Sequence, residues 1–104
     1  MSRAVMHGVD ASIERFRAGF KALGIAETDI KVTWDSEQGW ARLRMRLASG
    51  AIVEKLDRCQ DGEAVEFPLW RLTQHLHRGV KAVRGGASQD AAFADCIVTP
   101  AVLP

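Results

Sequence analysis

Most of the features that announce a chemistry are missing from this chain. Its charges nearly cancel, with a formal net charge of +1 over 104 residues. An anionic partner would therefore have to be met by a local patch and not by overall charge. Only two cysteines occur, Cys59 and Cys96, and their spacing is neither CxxC nor zinc-like. They read as reduced thiols of a cytoplasmic protein and not as a disulfide framework. No run approaches the ~20 apolar residues of a membrane span. The opening Met-Ser-Arg-Ala-Val-Met-His-Gly has no apolar signal-peptide core. There is no nucleophile elbow, no P-loop and no paired-carboxylate pattern. Cys59 sits in a loop stretch without a positioned base, so it makes no nucleophile. His75 and His77 are two apart and point in different directions on a helix, whereas joint metal ligation needs a spacing of four. The expectation is a cytoplasmic, non-membrane protein with no catalytic residue, no cofactor and no metal.

What is present is enough apolar material for one domain. Hydrophobic residues make up 47% and charged residues 26% of the chain. A chain of this length can bury roughly 60–68% of its extended surface and needs no staples. Val9, Ile13, Phe16, Phe20 and Leu23 recur at helical spacing and predict a helix over 10–23. Asp10 or Ser12 can cap its start, and Gly24 followed by Ile25 suits its end. Ile30, Val32 and Trp34 alternate with polar residues as a first strand. Ser36-Glu37-Gln38-Gly39 is a turn, and 40–47 alternates again as a second strand. Ser49-Gly50 is a two-residue hairpin signal leading into a third strand over 51–57. Pro68 fits the first turn of a second helix. Its apolar stripe is Leu69, Leu72, Leu76, Val80 and Val83, interrupted by Gly79 and ended by Gly85-Gly86.

The predicted fold class is thus α+β: a two-layer αβββα domain over 1–86. A three-stranded antiparallel sheet carries two helices on one face and leaves the other face to solvent. Residues 87–104 form a C-terminal extension with a short helix starting near Ser88. The extension is either packed on the domain as an added edge segment or mobile. The outer strands, 30–35 and 51–57, have edges through which a homodimer could form.

The two turns dictate a register. Through the first, Trp34 faces Ala41, Val32 faces Leu43 and Ile30 faces Met45. Through the second, Leu47 faces Ile52, Met45 faces Glu54 and Leu43 faces Leu56, with Glu54 a misfit among apolar side chains. On the other face Arg42 lies between Thr33 and Asp57, and Arg44 lies between Lys31 and Lys55. Arg46 faces Val53 and Trp40 faces Asp35. The row Lys31–Arg44–Lys55 sets like charges side by side, which opposes strand pairing. Two readings of this face stand. Arginine and lysine stems can shield apolar surface with their heads in water. Alternatively, Lys31, Trp40, Arg42, Arg44, Arg46 and Lys55 form a contact surface for a protein with acidic patches, or for a nucleic acid. Arg71, His75, Arg78, His77, Lys81 and Arg84 on the second helix fit either a favourable interaction with its dipole or a basic partner-binding helix. Trp34 and Phe16 are assigned to the core, Trp70 to its rim, and Trp40 to the surface.

The αβββα order resembles the double-stranded-RNA-binding domain in topology. However, Phe67-Pro68-Leu69-Trp70-Arg71 stands where that family has Lys-Lys-x-Ala-Lys, and duplex-RNA recognition is not implied. Residues 28–83 resemble small uncharacterised αβββα proteins of phages and prophages. The likeness rests on Thr28-Asp29-Ile30-Lys31-Val32-Thr33-Trp34-Asp35, Gly39, Ala41-Arg42-Leu43-Arg44, Val53 and Lys55. It implies a context and transfers no active site. In that context the expected function is a non-catalytic binding protein that blocks a host or defence protein complex through its basic sheet face.

Overall fold

The computed structural model describes residues 2–101, with side chains placed from residue 11 onward except Ser12 and Glu27. The side chain of Val9 and the last residues of the extension, 102–104, therefore lie outside what is described. The elements run α1 (Ser2–Ala22), β1 (Ile30–Asp35), β2 (Trp40–Arg46), β3 (Ile52–Arg58), α2 (Glu66–Arg84), α3 (Gln89–Ala92) and β4 (Ile97–Thr99). A single 3-10 turn, Glu27–Asp29, precedes β1. The class is α+β with an antiparallel sheet, as expected. The sheet has four strands in the order β1-β2-β3-β4, and not three. There is also a third helix.

Helix α1 starts well before residue 10, so Asp10 and Ser12 lie inside it and not at its start. Its end follows the glycine rule. Gly24 takes φ +85. The Gly24 and Ile25 amides donate to the carbonyls of Lys21 and Phe20, both at 2.9 Å. That is a Schellman closure, with the buried pair Phe20 and Ile25 as its apolar contact. Gly86 and Ala87 close α2 in the same way on Val83 and Ala82.

The first hairpin has the register read from the sequence: Ile30 opposite Met45, Val32 opposite Leu43, Trp34 opposite Ala41. Its turn is organised by Asp35, whose Oδ1 accepts from the Glu37 and Gln38 amides at 2.9 Å each.

The second hairpin departs from expectation by one residue. The Leu47 amide donates to Ala51 O at 2.8 Å and the Gly50 amide to Leu47 O at 2.9 Å. The loop is therefore Ala48-Ser49-Gly50, three residues long, with Gly50 at φ +89. This is the type I turn closed by a left-handed residue that three-residue hairpins favour. One extra loop residue slips β3 by one and turns every β3 side chain over. Met45 now faces Val53, Arg44 faces Glu54, Leu43 faces Lys55 and Arg42 faces Leu56. The predicted pairs Met45–Glu54, Leu43–Leu56, Arg44–Lys55 and Arg46–Val53 are replaced. The misfit disappears with them, because Val53 is fully buried and Glu54 is on the open face.

Residues 89–99 of the extension pack on the domain. Ser88 caps α3, its side chain accepting from the Ala91 amide. Phe93 is buried in the same core as Phe20, Leu43, Met45, Leu69 and Leu76. Strand β4 then pairs with β3, Val53 opposite Val98 and Glu54 opposite Ile97. The third strand is consequently not an edge along 52–54; the edges of the described sheet are β1 and β4.

Candidate functional site

The core lies on one face of the sheet, under α1 and α2. Among the described residues nothing covers the other face. Alternation along β2 sets Ala41, Leu43 and Met45 inward, all fully buried, and leaves Arg42, Arg44 and Arg46 exposed. Lys31 projects beside them from β1 and is exposed too. Trp40 is only half-buried, with the Arg42 guanidinium 5.8 Å from its ring centroid. Of the six residues assigned to the contact face from the sequence, Lys31, Trp40, Arg42, Arg44 and Arg46 are brought together there.

Lys55 is not. The slipped register turns it beneath the sheet, where its Nζ reaches Asp95 O at 3.0 Å and Asp95 Oδ2 at 3.4 Å. Glu54 takes its place among the arginines, with Oε1 3.5 Å from Arg42 Nε. The row expected to be all basic is thus Lys31–Arg44–Glu54, and opposite charges replace like charges across β2 and β3. Arg42 is the most constrained of the three arginines, held also by Thr33 Oγ1 at 3.4 Å. Arg44 and Arg46 have no acidic partner among the described residues. Both help to line a shallow depression of about 420 Å³ that runs across β1, β2 and the start of β3, together with Lys31, Asp29 and Ile52.

The inversion of β3 also adds apolar surface to this face. Leu56, expected inside opposite Leu43, is 42% exposed, and Ile97 on β4 is 69% exposed. The open face therefore has a basic half on β1 and β2 and a more apolar half on β3 and β4, where Leu56 and Ile97 stand among Glu54 and the exposed Arg58. Sequence reasoning missed the apolar half because it depends on the three-residue loop and on β4.

The underside of β3 carries two charged ties to α2. In the first, Arg71 donates from Nε to Asp57 Oδ2 at 2.7 Å and from Nη1 to Glu63 Oε2 at 2.7 Å. Its Nη2 donates to Glu63 Oε1 and to the Arg58 carbonyl. This fork holds the β3–α2 loop, and the Arg71 hydrogen bond keeps the Glu63 carboxyl below its ordinary range. The dipole reading of Arg71 is thus superseded: it lies near the start of α2, and its contacts are specific carboxylates.

Replacing Arg71 by lysine is expected to lose the fork and lower stability by about 1 kcal/mol, the exposed position discounting the value of the charges. Because the folded Glu63 pKa is depressed, its contribution is complete above the ordinary carboxylate range near pH ~4.3 and fades as pH falls through the folded value. Thermal melts of wild type and Arg71→Lys should therefore converge in acid. Parallel melting curves down to pH 2 would reject the tie.

The second tie joins His75, Asp95, Cys96 and Lys55. His75 Nε2 lies 2.8 Å from Asp95 Oδ1, and the Cys96 thiol lies 3.7 Å from the same oxygen. The His75 hydrogen bond holds the Asp95 carboxyl low. Burial pushes the Cys96 thiol up to about 11, so it is no ready nucleophile. Burial likewise raises the Cys59 thiol. His77 points elsewhere, edge-on to Phe20 with centroids 5.6 Å apart.

Two further aromatics lie on the surface of α2, Phe67 and Trp70, at 49% and 51% exposure. Trp70, and not Trp40, is the most exposed tryptophan. Trp34 is half-buried against the core and Phe16 is inside it. No helix of the described residues is long and apolar enough to cross a membrane. Comparison with protein-family models, curated proteins and solved structures found no match to this chain.

Proposed function

We propose that this is a non-catalytic binding protein whose open sheet face receives a protein with an acidic surface. One observation supports the reading above others: the same uncovered face carries exposed Arg44 and Arg46 on β2 and exposed Leu56 and Ile97 on β3 and β4, with Leu56 opposite Arg42 and Glu54 between Arg44 and Ile97. Arginine and tryptophan next to apolar side chains is the composition of a protein-binding centre. A surface made for phosphates alone gains nothing from Leu56 or Ile97, and Glu54 in its middle works against it. Under the resemblance to phage proteins, the partner is a host or defence complex and the effect of binding is stoichiometric blockade.

The test starts from affinity purification out of nuclease-treated source cells, followed by binding measurements on the purified partner. Arg44→Glu with Arg46→Glu leaves the Arg42 contacts intact and should weaken binding about 100-fold or more, two anchors at roughly 1.4 kcal/mol or more each. Leu56→Ser with Ile97→Ser changes no charge and should also weaken it by at least about tenfold. Binding undiminished in both double variants would remove this face from the function. Retention of oligonucleotides at low salt, abolished by the arginine pair and indifferent to the apolar pair, would replace the protein partner with a nucleic acid.

A further inference from the structure

His75, Asp95 and Cys96 bring one imidazole nitrogen, one carboxylate oxygen and one thiol sulfur within 4.8 Å of one another. We propose that these three side chains form a site for a single zinc-class divalent ion, open at its fourth position. Three features of the placement carry this. First, the donors come from two separate elements, α2 and the turn into β4, so an ion between them closes a ring through the tertiary structure. Second, the Nε2 and the Sγ converge on the same oxygen, Asp95 Oδ1, at 2.8 and 3.7 Å. Ligand atoms on a tetrahedral ion stand roughly 3.3–3.7 Å apart, given bonds of about 2.0–2.3 Å to nitrogen, oxygen and sulfur. Small rotamer shifts therefore bring the three around a common centre. Third, the donor set is one that zinc accepts, and mixed nitrogen and sulfur ligation disfavours magnesium and calcium.

Lys55 is the built-in competitor. Its ammonium occupies the remaining side of Asp95, at Oδ2 and at the backbone carbonyl. It supplies in the free protein part of the positive charge that the ion would bring. Binding is balanced as the divalent ion and the neutral thiol giving the metal thiolate and one released proton, with no change of oxidation state. The ion would fasten β4 to α2, and so hold the apolar half of the open face in place. The site stands on its own geometry, independent of which partner that face receives.

Cobalt(II) reports thiolate ligation by a sulfur-to-metal charge-transfer band in the near ultraviolet. The untagged, reduced full chain titrated with cobalt, then with zinc in competition, should develop and lose that band at one equivalent. Cys96→Ser should abolish the band and Cys59→Ser should leave it. His75→Ala should weaken affinity about 100-fold or more, at least the loss seen when an outer partner of a metal ligand is removed. Lys55→Met should tighten binding several-fold, a result that a purely structural tie would not give. No sulfur band in the wild type, or a band that survives Cys96→Ser, overturns the site; so does an affinity unchanged in both His75→Ala and Lys55→Met.

Discussion

Gly79→Ala is expected to destabilise this protein, although an alanine inside a helix ordinarily stabilises it. The reason is Phe93. A methyl group built at Gly79 would collide with Phe93 Cε1 and stand 2.9 Å from two further ring carbons. The ring is almost wholly buried and lies directly on the helix backbone. Helix propensity favours alanine by about 0.5–1 kcal/mol, whereas overpacking costs about 1–3 kcal/mol. The clash wins, by roughly 1–2 kcal/mol, and the melting temperature should fall by about 5–15 °C for a domain of this size.

Removing the ring itself costs more. Phe93→Ala should lose about 3–5 kcal/mol, a large share of the ~5–15 kcal/mol that holds a domain together. The pair makes a sign test. In the Phe93→Ala background the Gly79 methyl enters vacated space, so Gly79→Ala should turn from destabilising to stabilising. A wild-type melting temperature that rises on Gly79→Ala would mean that α3 does not dock where the structure places it.

That contact also marks how far the sequence was legible. Gly79 read as a defect in a helical stripe, because Phe93 lies in a segment too short to show a period. The stripes of α1 and α2 and the alternation of β1 and β2 were legible, since each element repeats its own pattern over several turns or residues. The first hairpin was legible for a related reason: Gly39 fixes a four-residue turn and both flanking strands alternate strictly. The second was not. Ala48-Ser49-Gly50 and Ser49-Gly50 are equally plausible loops by composition, and β3 alternates too weakly to choose. Ile52-Val53 and Leu56 offer an apolar residue to either face. The Arg71 fork depends on that choice, because only the observed register turns Asp57 toward α2. So does the second tie, which needs Lys55 beneath the sheet and residues 95–96 brought back by β4. The candidate face was legible in its basic half, which sits on one strand. Its apolar half is assembled from β3 and β4 and has no local signature.

The register of β3 is open to a decisive substitution pair, and the identity of the contact face follows from the outcome. Val53 is fully buried opposite Met45, while Glu54 is partly exposed opposite Arg44. Val53→Asp places a carboxylate among the apolar side chains of the core, at a cost on the order of 4 kcal/mol or more. Most of the chain should be unfolded at modest urea concentration. Glu54→Val removes only an exposed pairing with Arg42, worth about 0.2–1 kcal/mol, and substitutes a better strand former. Its stability should stay within about 0.5 kcal/mol of wild type. A strand slipped by one residue predicts the reverse: Val53→Asp tolerated, and Glu54→Val strongly stabilising through removal of a buried charge. Urea titrations of the two variants decide between them. The consequence for binding is equally sharp. With Glu54 outward and Lys55 beneath the sheet, Glu54→Lys should strengthen attachment to an acidic surface, whereas Lys55→Met should leave it unchanged. Loss of partner binding in Lys55→Met would restore Lys55 to the open face and refute the three-residue loop on which the apolar half of the surface depends.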